Sequence, residues 1–432
     1  MKKRIRLGIP LVVIAGVALV VAGIATGKSS RSQSASVLPT SSCAKLQYGG
    51  SGSPQFIIAS DLPLQGSSRS QTVEMTKAIA YTFKQAGYKA GKYTVGYQSC
   101  DDSTAQAGKW DPAKCAANAG NYVRDKTVIG VIGTFNSGCA GIEIPIANRA
   151  SLGYASPANT YDGLTQVQPG VTAAGEPGKY YPTGKRNYVR VVAADIRQGT
   201  ADALLLKSKG ITSVYILNDK ESYGLGIAND MRNGSKANGL KIAGFAAWDP
   251  KAASYQDLAT KIQSSGAKAV FLGGLECENG GKLIKDLRAG LGASFLIVAP
   301  DGFSSFKDTV AHAGDAAEGM IISIAGQPYA QLGKGGKAFA NGFGKSVGLK
   351  AKDVNPYSNY GATAALTLLK AVASSDGTRA SVTANLFKTS FTDSPVGAFK
   401  LDKNGDTNAA PISFYTIKGG QAVFTKLINP AK

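Results

Sequence analysis

The run Val128-Ile129-Gly130-Val131-Ile132-Gly133-Thr134-Phe135-Asn136-Ser137-Gly138-Cys139 decides the fold. Six apolar or glycine residues without a polar interruption suit a strand buried on both faces, as in a parallel sheet covered by helices. Hydroxyl and amide side chains follow at once, where the strand hands over to a helix. Backbone N–H groups at such a helix start, together with the Ser137 hydroxyl, suit a carboxylate.

The pattern repeats in both directions. Candidate strands cover 56–60, 93–99, 128–133, 152–155, 188–192, 213–217, 242–245, 269–273, 295–299 and 320–324. Helical stretches fall between them at 74–86, 195–209, 226–238, 255–264 and 280–291, with another at 357–373. Each repeat is a strand plus a crossover helix, which implies an α/β fold of parallel sheets with helices on both faces. Ten strands divide into two Rossmann-like lobes. Polar loops follow several strands: Ser156-Pro157-Ala158-Asn159-Thr160, Asp219–Gly224 and Pro300-Asp301-Gly302. Each alone reads as a helix N-cap. In register across both lobes they mark a ligand site at the carboxyl ends of the strands. The stretch 168–186 reads as an extended surface loop. Asp402-Lys403-Asn404-Gly405-Asp406 reads as a tight turn, since a calcium loop needs its glycine elsewhere and a distal Glu.

The 432 residues are too many for one core. Lys2, Lys3, Arg4 and Arg6 precede an uncharged, apolar run from Leu7 to Gly27, the pattern of an export signal or an uncleaved anchor at 1–27. Residues 28–53, rich in Ser and Gly, read as a tether, in which Cys43 is an acylation candidate with a poor lead-in. The net charge of +20 falls to +14 without the six cations of residues 1–42. The remaining Lys and Arg are scattered, so an exported chain has no evident nucleic-acid partner. Export also suits disulfides among Cys43, Cys100, Cys115 and Cys139. Three pairings are open, and a Cys100–Cys115 bond would close a loop of about 15 residues. Cys277 reads as free and buried.

Catalytic signatures are missing. His312 is the only histidine, which excludes a two-His zinc site, and it reads as a surface or capping residue. Gly344-Lys345-Ser346 lacks the first glycine of a phosphate loop, because Phe339 stands there. No cofactor, metal or enzymatic activity is expected.

In its motifs the chain resembles the type I solute-binding proteins of ABC importers, in the branched-chain amino acid (leucine/isoleucine/valine) receptor family. The resemblance covers about 54–428 and rests on Asp61-Leu62-Pro63-Leu64-Gln65-Gly66, Gly130–Gly133 with Ser137, Ser156–Thr160 and Asp219–Gly224. It continues through Gly273-Gly274, Pro300–Gly302 and Gly314–Gly319. It implies a periplasmic-binding-protein fold with a three-strand hinge near 188–192, 320–324 and 393–399. Lobe 1 would comprise 54–190 plus 320–395, and lobe 2 would comprise 191–319 plus 396–428. It further implies that Ser137 holds a ligand carboxylate, that Asn159 and Thr160 contact the ligand's backbone groups, and that Tyr223 closes over it. Asp301 would pair with an α-ammonium, although these receptors usually carry Glu there. Ser67, Leu275 and Glu276 fall at the pocket rim, Leu275 where an aromatic is common. The implied protein is a monomeric receptor at the cell surface or in the periplasm, delivering an amino acid-like solute to importer membrane subunits. A sensor of the same fold without an importer is the alternative.

Overall fold

A computed structural model describes residues 37–430. The leader at 1–27 and the first part of the tether lie outside these residues. All ten expected strands form, and they fall into two sheets.

The first sheet contains β1 (Phe56–Leu62), β2 (Lys89–Ala90) and β3 (Tyr93–Asp101), then, past a ribbon of β4 (Ser103–Thr104) and β5 (Lys109–Trp110), β6 (Val128–Gly133), β7 (Gly153–Ser156) and β8 (Tyr188–Arg190). Its order is β2-β3-β1-β6-β7-β8, parallel from β3 to β8. The second sheet contains β9 (Ser213–Asn218), β10 (Lys241–Ala247), β11 (Ala269–Gly273), β12 (Leu296–Ala299) and β13 (Ile321–Ala325). After a ribbon of β14 (Ser390–Phe391) and β15 (Phe399–Lys400), it is completed by β16 (Ile412–Lys418) and β17 (Gln421–Ile428). Its order is β10-β9-β11-β12-β13-β16-β17, with the last two strands antiparallel. Setting aside β2, β16 and β17, both sheets have the same doubly wound order: second strand, first, third, fourth, fifth. That order places a switch point between β1 and β6 and another between β9 and β11, where crevices open at the strands' carboxyl ends.

The helices follow the apolar spacing of the sequence. They are α1 (Arg69–Gln85), α2 (Pro112–Arg124), α3 (Ser137–Asn148), α4 (Asp195–Ser208), α5 (Ser222–Ala237), α6 (Gln256–Ser264), α7 (Gly280–Leu291), α8 (Phe306–Ala313), α9 (Lys334–Val347), α10 (Pro356–Ala373) and α11 (Arg379–Leu386). After β13 the chain returns to the first sheet, where α10 packs on α1, β6 and β7. The strand expected at 320–324 thus belongs with the second sheet, and the chain crosses only after it. Among the described residues no helix is long and apolar enough to cross a membrane. The loop at 168–186 is not wholly superficial, since Tyr180 and Tyr181 are buried.

Two cysteine pairs form, Cys43–Cys100 and Cys115–Cys139, so the Cys100–Cys115 bond does not. The reason lies in an exposed edge. β2 is only two residues long and leaves most of β3 unpaired, a liability for any sheet. Residues 43–47 fill that edge, with Cys43 opposite Cys100 and Gln47 opposite Tyr97. Gln98 Nε2 donates to the carbonyls of Leu38 (3.1 Å) and Ala44 (2.9 Å). Residues 38–47 are therefore packed against the sheet, contrary to the tether reading, and the Cys43 sulfur is committed to a disulfide, not to an acyl chain. Cys277 is free and only half-buried.

The first lobe also buries Asp61, Asp102 and Glu143, none of them in an ion pair among the described residues. Burial pushes the Asp61 carboxyl up to about 6, against hydrogen bonds that lower it. Burial, then the neighbouring Asp61, pushes Glu143 well above the carboxylate range. The folded state thus keeps protons that unfolded carboxyls release near pH 4. Stability is fullest below that range and declines as pH rises through about 6 and beyond. Glu143→Gln removes one such group. We expect its melting temperature to exceed the parent's by more at pH 8 than at pH 5; an equal difference at both would contradict the assignment. For the cysteines, peptide mapping without reductant should return the two observed pairs and one free thiol. Each bond contributes about 3–4 kcal/mol in the chain-entropy account, so Cys115→Ser should lower the melting point and yield a mixed population if the pairing is otherwise.

Candidate functional site

Loops from both sheets meet over a small cavity. Ser137, Thr160, Tyr223, Leu275 and Asp301 all line it, although they are spread over 165 positions of sequence. Ser137 opens α3 directly after β6, and its Oγ accepts from Tyr161 N–H at 3.4 Å, which leaves the hydroxyl proton for another acceptor. Thr160 leaves β7 and ties its carbonyl to Asp195 N–H at 2.9 Å. From the second sheet, Tyr223 stands in the first turn of α5, and Asp301 follows β12. A side chain at position 302 would strike the carbonyl of Gly274, so glycine lets these two strand-end loops touch.

Asp301 dominates the electrostatics. Its Oδ1 accepts from Tyr223 Oη at 2.5 Å and its Oδ2 from Tyr357 Oη at 2.5 Å. Tyr223 Oη also accepts from Gly302 N–H at 3.0 Å, fixing the phenol between carboxylate and backbone. Burial raises the Asp301 pKa, against the lowering effect of the two phenols. No ion pair of Asp301 occurs among the described residues, and burial, then Asp162 and Asp301, holds the nearby Asp195 carboxyl well above the carboxylate range. Such a cavity favours a cationic hydrogen-bond donor. At the opposite wall, the Asn136 and Ser137 backbone at the start of α3 favours an anion.

Several expectations need correction. Asn159 does not line the cavity: its Oδ1 accepts from Tyr188 Oη at 3.2 Å and its Nδ2 donates to Thr134 Oγ1 at 3.3 Å. The side chain ties the residue after β6 to β8. Ser67 and Glu276 line a separate groove, where Glu276 Oε1 meets His312 Nδ1 at 2.7 Å. His312 is a surface residue, as the sequence suggests, that hydrogen-bonds Glu276. Leu275 belongs to the cavity wall itself. Tyr357 and Phe135 were missed: Tyr357 sits in the first turn of a helix whose apolar pattern reads as core, and Phe135 lies in the quoted stretch but carries no polar group to single it out.

Side chains also meet across the cleft. Lys109 pairs with Glu278 and stands 3.6 Å from Glu221. Ser70 Oγ donates to Asp308 Oδ2 at 2.6 Å, and Gln71 Nε2 to Ser304 Oγ at 3.0 Å. Burial, then Glu278, raises the Glu221 pKa to about 7, with Lys109 opposing.

Two hinged α/β lobes with a charged cleft between them define a class of binding proteins. Residues 58–422 match the profile of the periplasmic binding protein family, and the chain belongs to that family. It is 29% identical over 164 residues to a leucine-, isoleucine-, valine-, threonine- and alanine-binding protein of Pseudomonas aeruginosa, covering 38% of this chain and 42% of that protein. It is 26% identical over 310 residues to an amino acid binding protein of the same organism, covering 71% and 76%. The chain thus spans less than half of the first relative and about three quarters of the second. Its fold matches a leucine binding protein from Thermotoga maritima with a TM-score of 0.75 at 21% identity, over 87% of this chain and 99% of that one. It also matches an ABC transporter solute binding protein from R. palustris in complex with benzoate, with a TM-score of 0.68 at 20% identity, over 87% and 97%.

The two phenols differ in what they hold, and this can be measured. Tyr357→Phe removes one donor to a buried carboxylate, a loss of about 1–3 kcal/mol. Tyr223→Phe also strips the Gly302 N–H of its acceptor. Urea unfolding at pH 7 should rank Tyr223→Phe as the more destabilised; the reverse order would contradict the hydrogen-bond arrangement.

Proposed function

We propose that this chain is the extracytoplasmic substrate-binding receptor of an ABC importer, and that it takes an amino acid or a solute of similar size and polarity. The observation that carries this reading is the buried, cation-free Asp301 carboxylate facing the α3 start across the cavity. An α-amino acid supplies an ammonium for the first and a carboxylate for the second. Ser137 would donate to the ligand carboxylate, Thr160 would contact its backbone groups, Tyr223 would close over it, and Asp301 would accept from its ammonium. Leucine, isoleucine and valine binding among the relatives supports an amino acid. The benzoate complex, seen on the same fold, supports a carboxylate as the shared feature.

Closure follows from this geometry. Ligand contacts on both lobes are complete only when the cleft is shut, so binding shifts the population toward the shut form. The membrane subunits of an importer would then meet the closed surface. Binding and release require no bond to break, in keeping with a family of binding proteins rather than enzymes. The receptor would act after export, as a monomer, at the cell surface or in the periplasm.

A thermal-shift screen with amino acids, amides and small carboxylates tests the assignment. A ligand at a hundredfold excess over Kd should stabilise the protein by about 2.7 kcal/mol. Asp301→Asn should abolish the shift for any α-amino ligand, and Ser137→Ala should weaken it. A full shift in Asp301→Asn would remove the ammonium contact from the account. An intact shift with a lowered melting point in Ser137→Ala would leave Ser137 a structural residue only.

A further inference from the structure

Charge is partitioned unevenly between interior and surface. Twelve of the 28 acidic residues are buried, whereas Arg190 is the only buried Lys or Arg among the described residues. Forty described Lys and Arg meet solvent against 16 acids. The exterior is therefore more cationic than the sequence total implies.

One face concentrates this charge. Tyr81 of α1 packs edge-on against Phe339 and Phe343 of α9, which sets the two helices side by side. Lys77 and Lys84, one turn either side of Tyr81, are exposed. Lys337 and Lys345 are exposed on α9 with the i, i+8 spacing of one helix face, and Lys350 and Lys352 are exposed just beyond it. The acids on these elements are Glu74 and Asp353. Glu74 is occupied inward, accepting from Asn355 N–H and Ser358 Oγ, each at 2.8 Å.

We propose that the α1–α9 face docks on a bilayer containing anionic phospholipid. Lysines predominate here over a lone exposed Arg69 at the start of α1, and point charges on flexible stems suit a diffuse anionic surface better than a shaped phosphate site. Tyr81, Phe339 and Phe343 of the face are engaged with one another, and Tyr329 is held by Asn341 of α9. The apolar run Leu7–Gly27, with four cations before it, joins the described fold through nine residues, about 30 Å of extended chain. The face lies outside the ligand cavity, so this inference and the proposed ligand fail separately.

Vesicle co-sedimentation of the full chain tests it, with phosphatidylcholine alone or with a third phosphatidylglycerol. The quadruple variant K337E/K345E/K350E/K352E is compared with a control, K236E/K241E/K261E/K268E, which carries the same charge change on the second lobe. Any contribution of residues 1–36 is common to all three proteins. The parent should bind the anionic vesicles preferentially at low salt and lose that preference near ~0.5 M salt. The α9 variant should bind about tenfold more weakly and the control close to the parent, with the thermal shift of each variant reporting an intact fold and cleft. Equal losses in both variants, or no preference for anionic vesicles, would overturn the proposal. Stronger binding to DNA or to an anionic wall polymer than to vesicles would assign the face to a different partner and equally overturn it.

Discussion

Arg190 holds the cleft's framework together. Its side chain is wholly buried, and its Nε donates to Asp406 Oδ1 at 2.6 Å. Nη1 reaches the Tyr161 carbonyl at 2.8 Å, and Nη2 reaches Thr165 Oγ1. Burial alone would lower the pKa of this guanidinium; Asp406, Tyr188 and Asp162 hold it above its ordinary value. One charge thereby links the end of β8, the loop that carries Thr160, and the turn at 402–406 through which the chain passes back to the second sheet. Breaking a pair this deeply buried leaves an uncompensated charge, a loss of about 3–5 kcal/mol. The turn's sequence suggested only a reversal of the chain; its final Asp is what anchors Arg190.

On this framework the cleft separates two kinds of polarity. Backbone N–H groups at the start of α3 favour an anion, while Asp301 on the other side favours a cation. A zwitterion satisfies both, and the two phenols keep Asp301 from being an isolated buried charge before the ligand arrives. The contacts of Lys109, Ser70 and Gln71 join the two sides of the cleft beside this cavity.

Much of this was legible in the sequence because strand periodicity and polar strand exits obey local rules. Ser137, Thr160, Tyr223 and Asp301 each follow a recognisable strand by a few residues, and the doubly wound order brings those exits together. Asn159 obeys the same rule, yet its amide is occupied by Tyr188 and Thr134 instead of lining the cavity. Ser67 and Glu276 lie near the cleft in sequence terms, but the chain carries them to a neighbouring groove. Tyr357 could not be read locally: it reaches Asp301 from a helix 56 residues on. The segment 38–47 was misread because its composition is that of a linker, while its structure depends on a vacant edge of β3.

The central claim is that a ligand's ammonium group meets Asp301. Calorimetric titration with an α-amino acid identified by screening, and with the same molecule lacking its amino group, measures this directly. The account predicts that losing the ammonium weakens binding by more than about a hundredfold, consistent with one charge-assisted contact in a closed cavity. Equal affinity for the two compounds would contradict it.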